Sequence, residues 1–150
     1  MKAVQKQYNK HEDAYKLENQ LCFPLYAASR LVTKCYQPVL DELGITYPQY
    51  LVLMVLWEQD QVSLSVLAEK LMLQSNTLTP LLKRMQETGL IDRVRSQQDE
   101  RSIVISLTDK GRLLKAEVPR LQQQLQDIGI TFEEAVQLKK LLSKMLRKAE

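Results

Sequence analysis

The chain has 150 residues, 45% of them apolar, which is enough for one sizeable core and calls for no second independent domain. Its composition, with only four glycines, favours an α-rich fold, and a net charge of +3 does not by itself announce a nucleic-acid binder. A polar start without a signal-peptide core, no apolar run of roughly 18 residues, two cysteines and one histidine argue against a membrane span, a disulfide framework and a metal cluster; the expectation is a cytoplasmic protein with no cofactor.

Leu17, Leu21, Leu25, Ala28, Val32, Cys35 and Val39 recur at spacings of four and three, the mark of one apolar stripe on a long first helix. Pro24 removes a backbone donor, so this helix is expected to kink or restart near Phe23; Pro38 is expected to mark its far end, and Gly44 the turn that closes it. Residues 48–57 are almost wholly apolar and predict a buried central helix with Pro48 in its first turn. Ser63 is placed to cap a short helix carrying Leu64, Leu67, Ala68 and Leu71. A short link leads to a second amphipathic helix over 76–88, with Leu78, Leu81, Leu82 and Met85 on one face and Gly89 as the stop. Two such helices on a tight link make a helix–turn–helix.

Residues 91–95 and 102–107 read as strands, the second alternating Ile103, Ile105 and Leu107 inward, and the polar stretch 96–101 between them is an exposed tip: a β-ribbon, hence a wing. Thr108 is expected to cap a helix carrying Leu114, Val118, Leu121, Leu125 and Ile128 and bent at Pro119. Thr131 and Glu134 form a capping box that opens a last helix expected to bury Phe132, Val136, Leu142 and Met145. The whole reads as a mainly α chain with a small β-wing: one domain over 1–150, with a winged helix–turn–helix over about 46–111 and dimerisation helices over about 12–45 and 112–150. The flanking helices carry more apolar surface than the winged helix covers, which predicts a homodimer built from the first helix and the last two.

The second helix of a helix–turn–helix enters the major groove by its N-terminal end. Here that end offers Ser75, Asn76, Thr77 and Thr79, all able to exchange hydrogen bonds with bases or phosphates of double-stranded DNA. Lys83 and Arg84 are placed to neutralise phosphates, and Arg93, Arg95 and Arg101 stand on the wing, where a narrow A·T-rich minor groove attracts arginine. Taken singly, Ser75 reads as an N-cap and Lys83–Arg84 as a solvated face; the adjoining wing shifts the balance to DNA. Over 75–112 seven basic residues face five acidic ones, so position rather than charge carries this reading. Asp99 and Glu100 at the tip oppose simple phosphate attraction, and Asp99 is expected to hold Arg101 in shape.

Cys22 shares a helical face with Tyr26, Ser29, Thr33 and Tyr36, whereas Cys35 lies on the apolar stripe, where a thiol is usually inert packing. If the helix restarts at Phe23–Pro24, the Cys22 sulfur sits beside a helix N-terminus, whose partial positive charge favours a thiolate. The competing reading is a small core residue. Tyr36 is separated from Cys22 of its own chain by about 21 Å of helix, so any help to that thiol comes from a second subunit. His11 has no partner at catalytic spacing, and no glycine loop, metal cluster or nucleophile–base pair points to an enzyme.

The segments Gln20-Leu21-Cys22-Phe23, Thr46-Tyr47-Pro48-Gln49-Tyr50-Leu51-Val52-Leu53, Thr77-Leu78-Thr79-Pro80-Leu81-Leu82-Lys83-Arg84 and Asp99-Glu100-Arg101 together resemble the multiple antibiotic resistance regulator (MarR) family, and within it the organic hydroperoxide resistance regulators. The resemblance spans nearly the whole chain. It implies a homodimeric winged-helix repressor whose N-terminal cysteine is oxidised by organic hydroperoxides, releasing operator DNA. By the same resemblance Cys22 is the sensing thiol, Tyr36 and Tyr47 contact it across the dimer, Ser75, Thr77 and Lys83 belong to the recognition helix, and Arg93 and Arg101 to the wing. Three positions depart from the family pattern. Pro24 replaces a small helix former, Gln74 and Asn76 stand where Asp and Gly are frequent, and the region around Asp127 lacks the second cysteine some members use. Oxidation is then expected to stop at a sulfenic acid or to reach a mixed disulfide with a small thiol, because Cys35 lies about 220° around the same helix and some 20 Å along it.

Three other readings keep the same fold. In one, a small aromatic acid in the dimer pocket releases the DNA and Cys22 merely lines that pocket; in another, Cys22 serves a thiol peroxidase; in the third, the winged helix is an interaction module that touches no DNA and binds its partner independently of salt.

Overall fold

The computed structural model describes residues 13–99, 101–126 and 128–147; His11, Glu100 and Asp127 lie outside them. A single 3₁₀ turn, Leu17–Asn19, precedes helix α1, Cys22–Leu43. The expected stripe is therefore interrupted at Gln20, whose backbone is extended (φ −90°, ψ 124°). The cause lies four residues on: the ring of Pro24 clashes with the carbonyl of residue i−4 in a continuous helix, so the helix restarts with Pro24 inside its first turn. Pro38, expected to end the helix, does not. Tyr36, Val39 and Leu40 are buried and hold the last turns in place, and α1 runs on to Gly44, whose left-handed backbone (φ 67°) stops it.

Helix α2, Tyr47–Glu58, opens on a capping box in which Thr46 Oγ1 accepts from Gln49 N and Gln49 Oε1 accepts from Thr46 N. It meets α1 at 80° and is the core helix, with Tyr50, Val52, Leu53, Val55 and Leu56 all buried. Next come β1, Val62–Ser63; α3, Leu64–Leu71, capped by Ser63; and α4, Ser75–Glu87. Gln74, not Ser75, is the N-cap of α4, and its side chain makes no capping bond. Strands β2, Ile91–Arg95, and β3, Ile103–Leu107, form the ribbon, and β1 joins it as a third strand in the order β1-β3-β2. Two residues are too few to show a period in sequence, which is why β1 was legible only as a cap site. Ile105 and Leu107 face the core, but Ile103 is exposed, because the ribbon has by then left the body.

The helix expected to run on from Thr108 is broken into α5, Asp109–Leu113, a 3₁₀ turn, Leu114–Glu117, and α6, Val118–Gln123. Thr108 does cap it, accepting from Gly111 N at 3.1 Å. Pro119 acts as Pro24 does, since the tightened turn contains its i−4 residue, Lys115. Helix α7, Phe132–Leu146, starts at the Thr131–Glu134 capping box but contains no buried residue. Phe132 is 78% exposed, Val136 50% and Met145 48%, so the expected burial of this stripe does not occur within one protomer; Leu142 is only half-buried. One continuous core links α1, α2, the winged helix and Leu121 of α6.

Candidate DNA interface and thiol site

Buried Leu78, Leu82 and Met85 anchor α4 and turn its other face outward. Ser75, Asn76, Thr77 and Thr79 are all exposed at its N-terminal end, and Lys83 and Arg84 are exposed farther along. Thr79 donates its hydroxyl to Ser75 O at 2.8 Å, which leaves its lone pairs and methyl group to face a ligand. With no side-chain cap, the first backbone N–H groups of α4 stay available to an anion.

On the ribbon, Ile91, Arg93 and Arg95 share one face of β2, opposite Leu107, Ile105 and Ile103 of β3. The face that buries Ile91 and Ile105 thus becomes arginine where it projects beyond the body. Arg93 Nε donates to Gln86 Oε1 at 2.9 Å, tying the wing to α4. The tip is ordered by Ser96, whose backbone N–H donates to Ser102 O, and by Asp99, whose Oδ1 accepts from Arg101 N at 3.0 Å. Asp99 therefore shapes Arg101 through its backbone. Lys83, Arg84, Arg93, Arg95 and Arg101 make no ion pair with any carboxylate among the described residues.

Cys22 is exposed and is the first residue of α1. The face it shares with Tyr26, Ser29, Thr33 and Tyr36 goes from open to closed along the helix: Tyr26 and Ser29 are exposed, Thr33 is half-buried and Tyr36 is buried. There Tyr36, Tyr47 and Tyr50 meet with ring centroids 5.4 to 6.2 Å apart, and Tyr50 touches Trp57 at 6.1 Å. Burial, reinforced by Tyr47, Tyr50 and Cys35, pushes the Tyr36 phenol up to about 12, and burial also raises Tyr47 and Tyr50. All three stay neutral hydrogen-bond donors at physiological pH. Tyr50 and Trp57 read in sequence only as part of an apolar run.

The structure thus gathers Tyr36 and Tyr47 but not Cys22, which sits at the opposite end of α1, about 21 Å away. Cys35 is half-buried, and both thiols are free. Beside Tyr47 a groove of about 770 Å³ opens between α1 and the start of α2, and its walls include Arg30, Lys34, Gln37 and Leu31. Among the described residues no group of three or more His, Cys, Asp or Glu side chains is placed to hold a metal, and no single helix is long and apolar enough to cross a membrane.

A model of the SarA/Rot transcriptional regulators matches residues 34–118. The chain is 51% identical, over 131 residues, to the organic hydroperoxide resistance transcriptional regulator of Bacillus subtilis, and the match covers 87% of this chain and 88% of that one. The chain belongs to the MarR family. Its relatives within this family of winged-helix transcriptional regulators include AbfR of Staphylococcus epidermidis, solved in two DNA-bound forms. Reduced AbfR aligns with a TM-score of 0.78 at 36% identity and overoxidised AbfR with 0.77 at 37%, each covering 100% of both chains. In this MarR-family chain the helix–turn–helix, the ribbon and the exposed N-terminal thiol occupy one continuous framework.

Proposed function

We propose that this chain is a homodimeric repressor that binds operator DNA through α4 and the wing, and lets go when an organic hydroperoxide oxidises Cys22. The observation that carries the reading is the position of Cys22, solvent-open at the first residue of a helix whose far end buries a tyrosine cluster. In a paired arrangement, the second subunit brings its Tyr36 and Tyr47 to the thiol that one chain alone leaves bare. The uncovered apolar faces of α1 and α7 supply the means of pairing, so that residues 46–111 read DNA while 12–45 and 112–150 join the subunits.

In the chemical step the thiolate sulfur attacks the terminal oxygen of ROOH. The O–O bond breaks, the alkoxide leaves and takes up a proton as ROH, and the sulfur becomes a sulfenic acid, oxidised by two electrons. A small thiol then displaces hydroxide, giving a mixed disulfide and water. Each subunit consumes one equivalent of peroxide and does not turn over, so the protein acts as a cytoplasmic switch and not as an enzyme. Release from nanomolar to micromolar binding requires a shift of about 4 kcal/mol, which moving the two reading heads out of register supplies.

The test is a DNA-binding titration with and without cumene hydroperoxide. Loss of affinity on oxidation, absent in Cys22→Ser, is the expected result; equal loss in both proteins defeats the sensing role. The groove beside Tyr47 favours a second reading, in which Arg30 and Lys34 hold the carboxylate of a small aromatic acid. DNA release by such an acid, with every thiol still titratable, selects it.

A further inference from the structure

The exposed polar stripe of α4 does not stop at the residues already assigned to DNA. Asn76, Thr79, Lys83 and Gln86 follow one another at spacings of three, four and three, which places Gln86 on the same helical face as the groove-reading residues. Gln86 is exposed, and it alone in that row bonds to the wing, through the 2.9 Å bond from Arg93 Nε.

That bond fixes which way both side chains face. Because Arg93 is the donor, the carbonyl end of the Gln86 amide turns toward it, and the Nε2 amine, with two N–H groups, turns away. The guanidinium has spent one of its five N–H groups and keeps the four on its terminal nitrogens. The acceptor used in the bond belongs to Gln86 and the charge to Arg93, so the pair presents donors and a positive charge together. A phosphate, which only accepts, is the matching ligand. Position is compatible with that chemistry: Gln86 and Arg93 bridge α4 and the wing, the two elements that the DNA-binding reading places in adjacent grooves, with one sugar–phosphate strand between those grooves.

We propose that Gln86 and Arg93 form a single seat for one backbone phosphodiester, with Gln86 both aiming the guanidinium and donating to the phosphate itself. The seat rests on the DNA-binding reading above but not on its redox part, and it needs no particular base sequence.

The experiment measures binding of the full-length reduced protein to a labelled duplex of mixed sequence, from about 50 to 200 mM salt. Arg93→Ala is expected to flatten the log–log salt slope by about 0.9, the loss of one neutralised phosphate. Gln86→Ala is expected to weaken binding about fivefold in the wild-type background and less than about twofold when Arg93 is already alanine, because contacts that act as a unit do not add. Gln86→Glu keeps the acceptor for Arg93 but faces the phosphate with a carboxylate, so it is expected to bind less well than Gln86→Ala. Equal losses for Gln86→Ala in the two backgrounds, or no loss at all, overturn the seat. Wild-type binding by Gln86→Glu overturns the contact between Gln86 and phosphate. A wild-type protein that fails to bind the duplex even at the lowest salt overturns the DNA reading and the seat with it.

Discussion

Asp60 has no chemistry to perform, yet it receives more hydrogen bonds than any candidate functional side chain. Its Oδ1 accepts from Leu107 N at 2.9 Å and Gln61 N at 2.8 Å, and its Oδ2 from Arg112 Nη2 at 2.9 Å. It thereby fastens the end of α2 to the last residue of β3 and to α5. Burial works against its ionisation, but these three donors outweigh it and hold the carboxyl below the ordinary carboxylate range. Because the native group is the stronger acid, its contribution is complete above the unfolded value near 4 and is lost as pH falls through the lowered native value. Asp60→Ala is expected to destabilise by about 2 kcal/mol in urea titrations at neutral pH, and Asp60→Asn to lose less stability than wild type between about pH 5 and 3. No local sequence pattern marks Asp60, since two of its partners lie 47 and 52 positions away. Cys22 was legible because its neighbours share one helical period, and Gln86 was not, because its meaning comes from a bond to another element.

At the scale of elements, apolar periods located α1, α3 and α4, a continuous apolar run located α2 and caps marked the starts of α5 and α7, whereas the breaks were set by geometry four residues away. Pro24 and Pro119 interrupt their helices at i−4, while Pro38 is carried by the burial of Tyr36, Val39 and Leu40 around it. Local rules rank these prolines alike, and only packing separates them. The corner of the helix–turn–helix shows the same limit. Met72 ends α3 in a left-handed conformation (φ 54°) with its side chain 53% exposed, although glycine suits that position best. Met72→Gly relieves the Cβ clash and loses little packing. It is expected to raise stability by roughly 0.5–1 kcal/mol, read as a higher urea midpoint with an unchanged slope. A lowered midpoint would mean that the methionine side chain packs more than its exposure indicates.

Over the whole molecule, the sequence made the winged helix and its flanking arms readable, and the apolar excess on those arms, but not the orientation of α7. Its Phe132, Val136, Leu138, Leu141 and Met145 are exposed, as are Phe23 and Leu31 of α1, a surplus that a monomer does not hide. Leu141→Glu puts a charge into that stripe at a position 62% exposed in the single chain. Sedimentation of this variant is expected to show a monomer with an unchanged helical spectrum, and its DNA affinity to fall at least tenfold, because one reading head replaces two. A dimer that survives the substitution would remove α7 from the interface.

Helix α1 is one uninterrupted element from Cys22 to Leu43, so no chain can fold its own thiol back onto its own Tyr36 and Tyr47. On the proposed pairing, ownership of each sensing centre is split between two polypeptides, and defects in the two halves are expected to complement. Mixing Cys22→Ser chains with Tyr36→Phe chains creates heterodimers in which one centre inherits both lesions and the other inherits neither. Those heterodimers are expected to regain rapid oxidation at one of their two centres, although each parent protein alone reacts slowly or not at all.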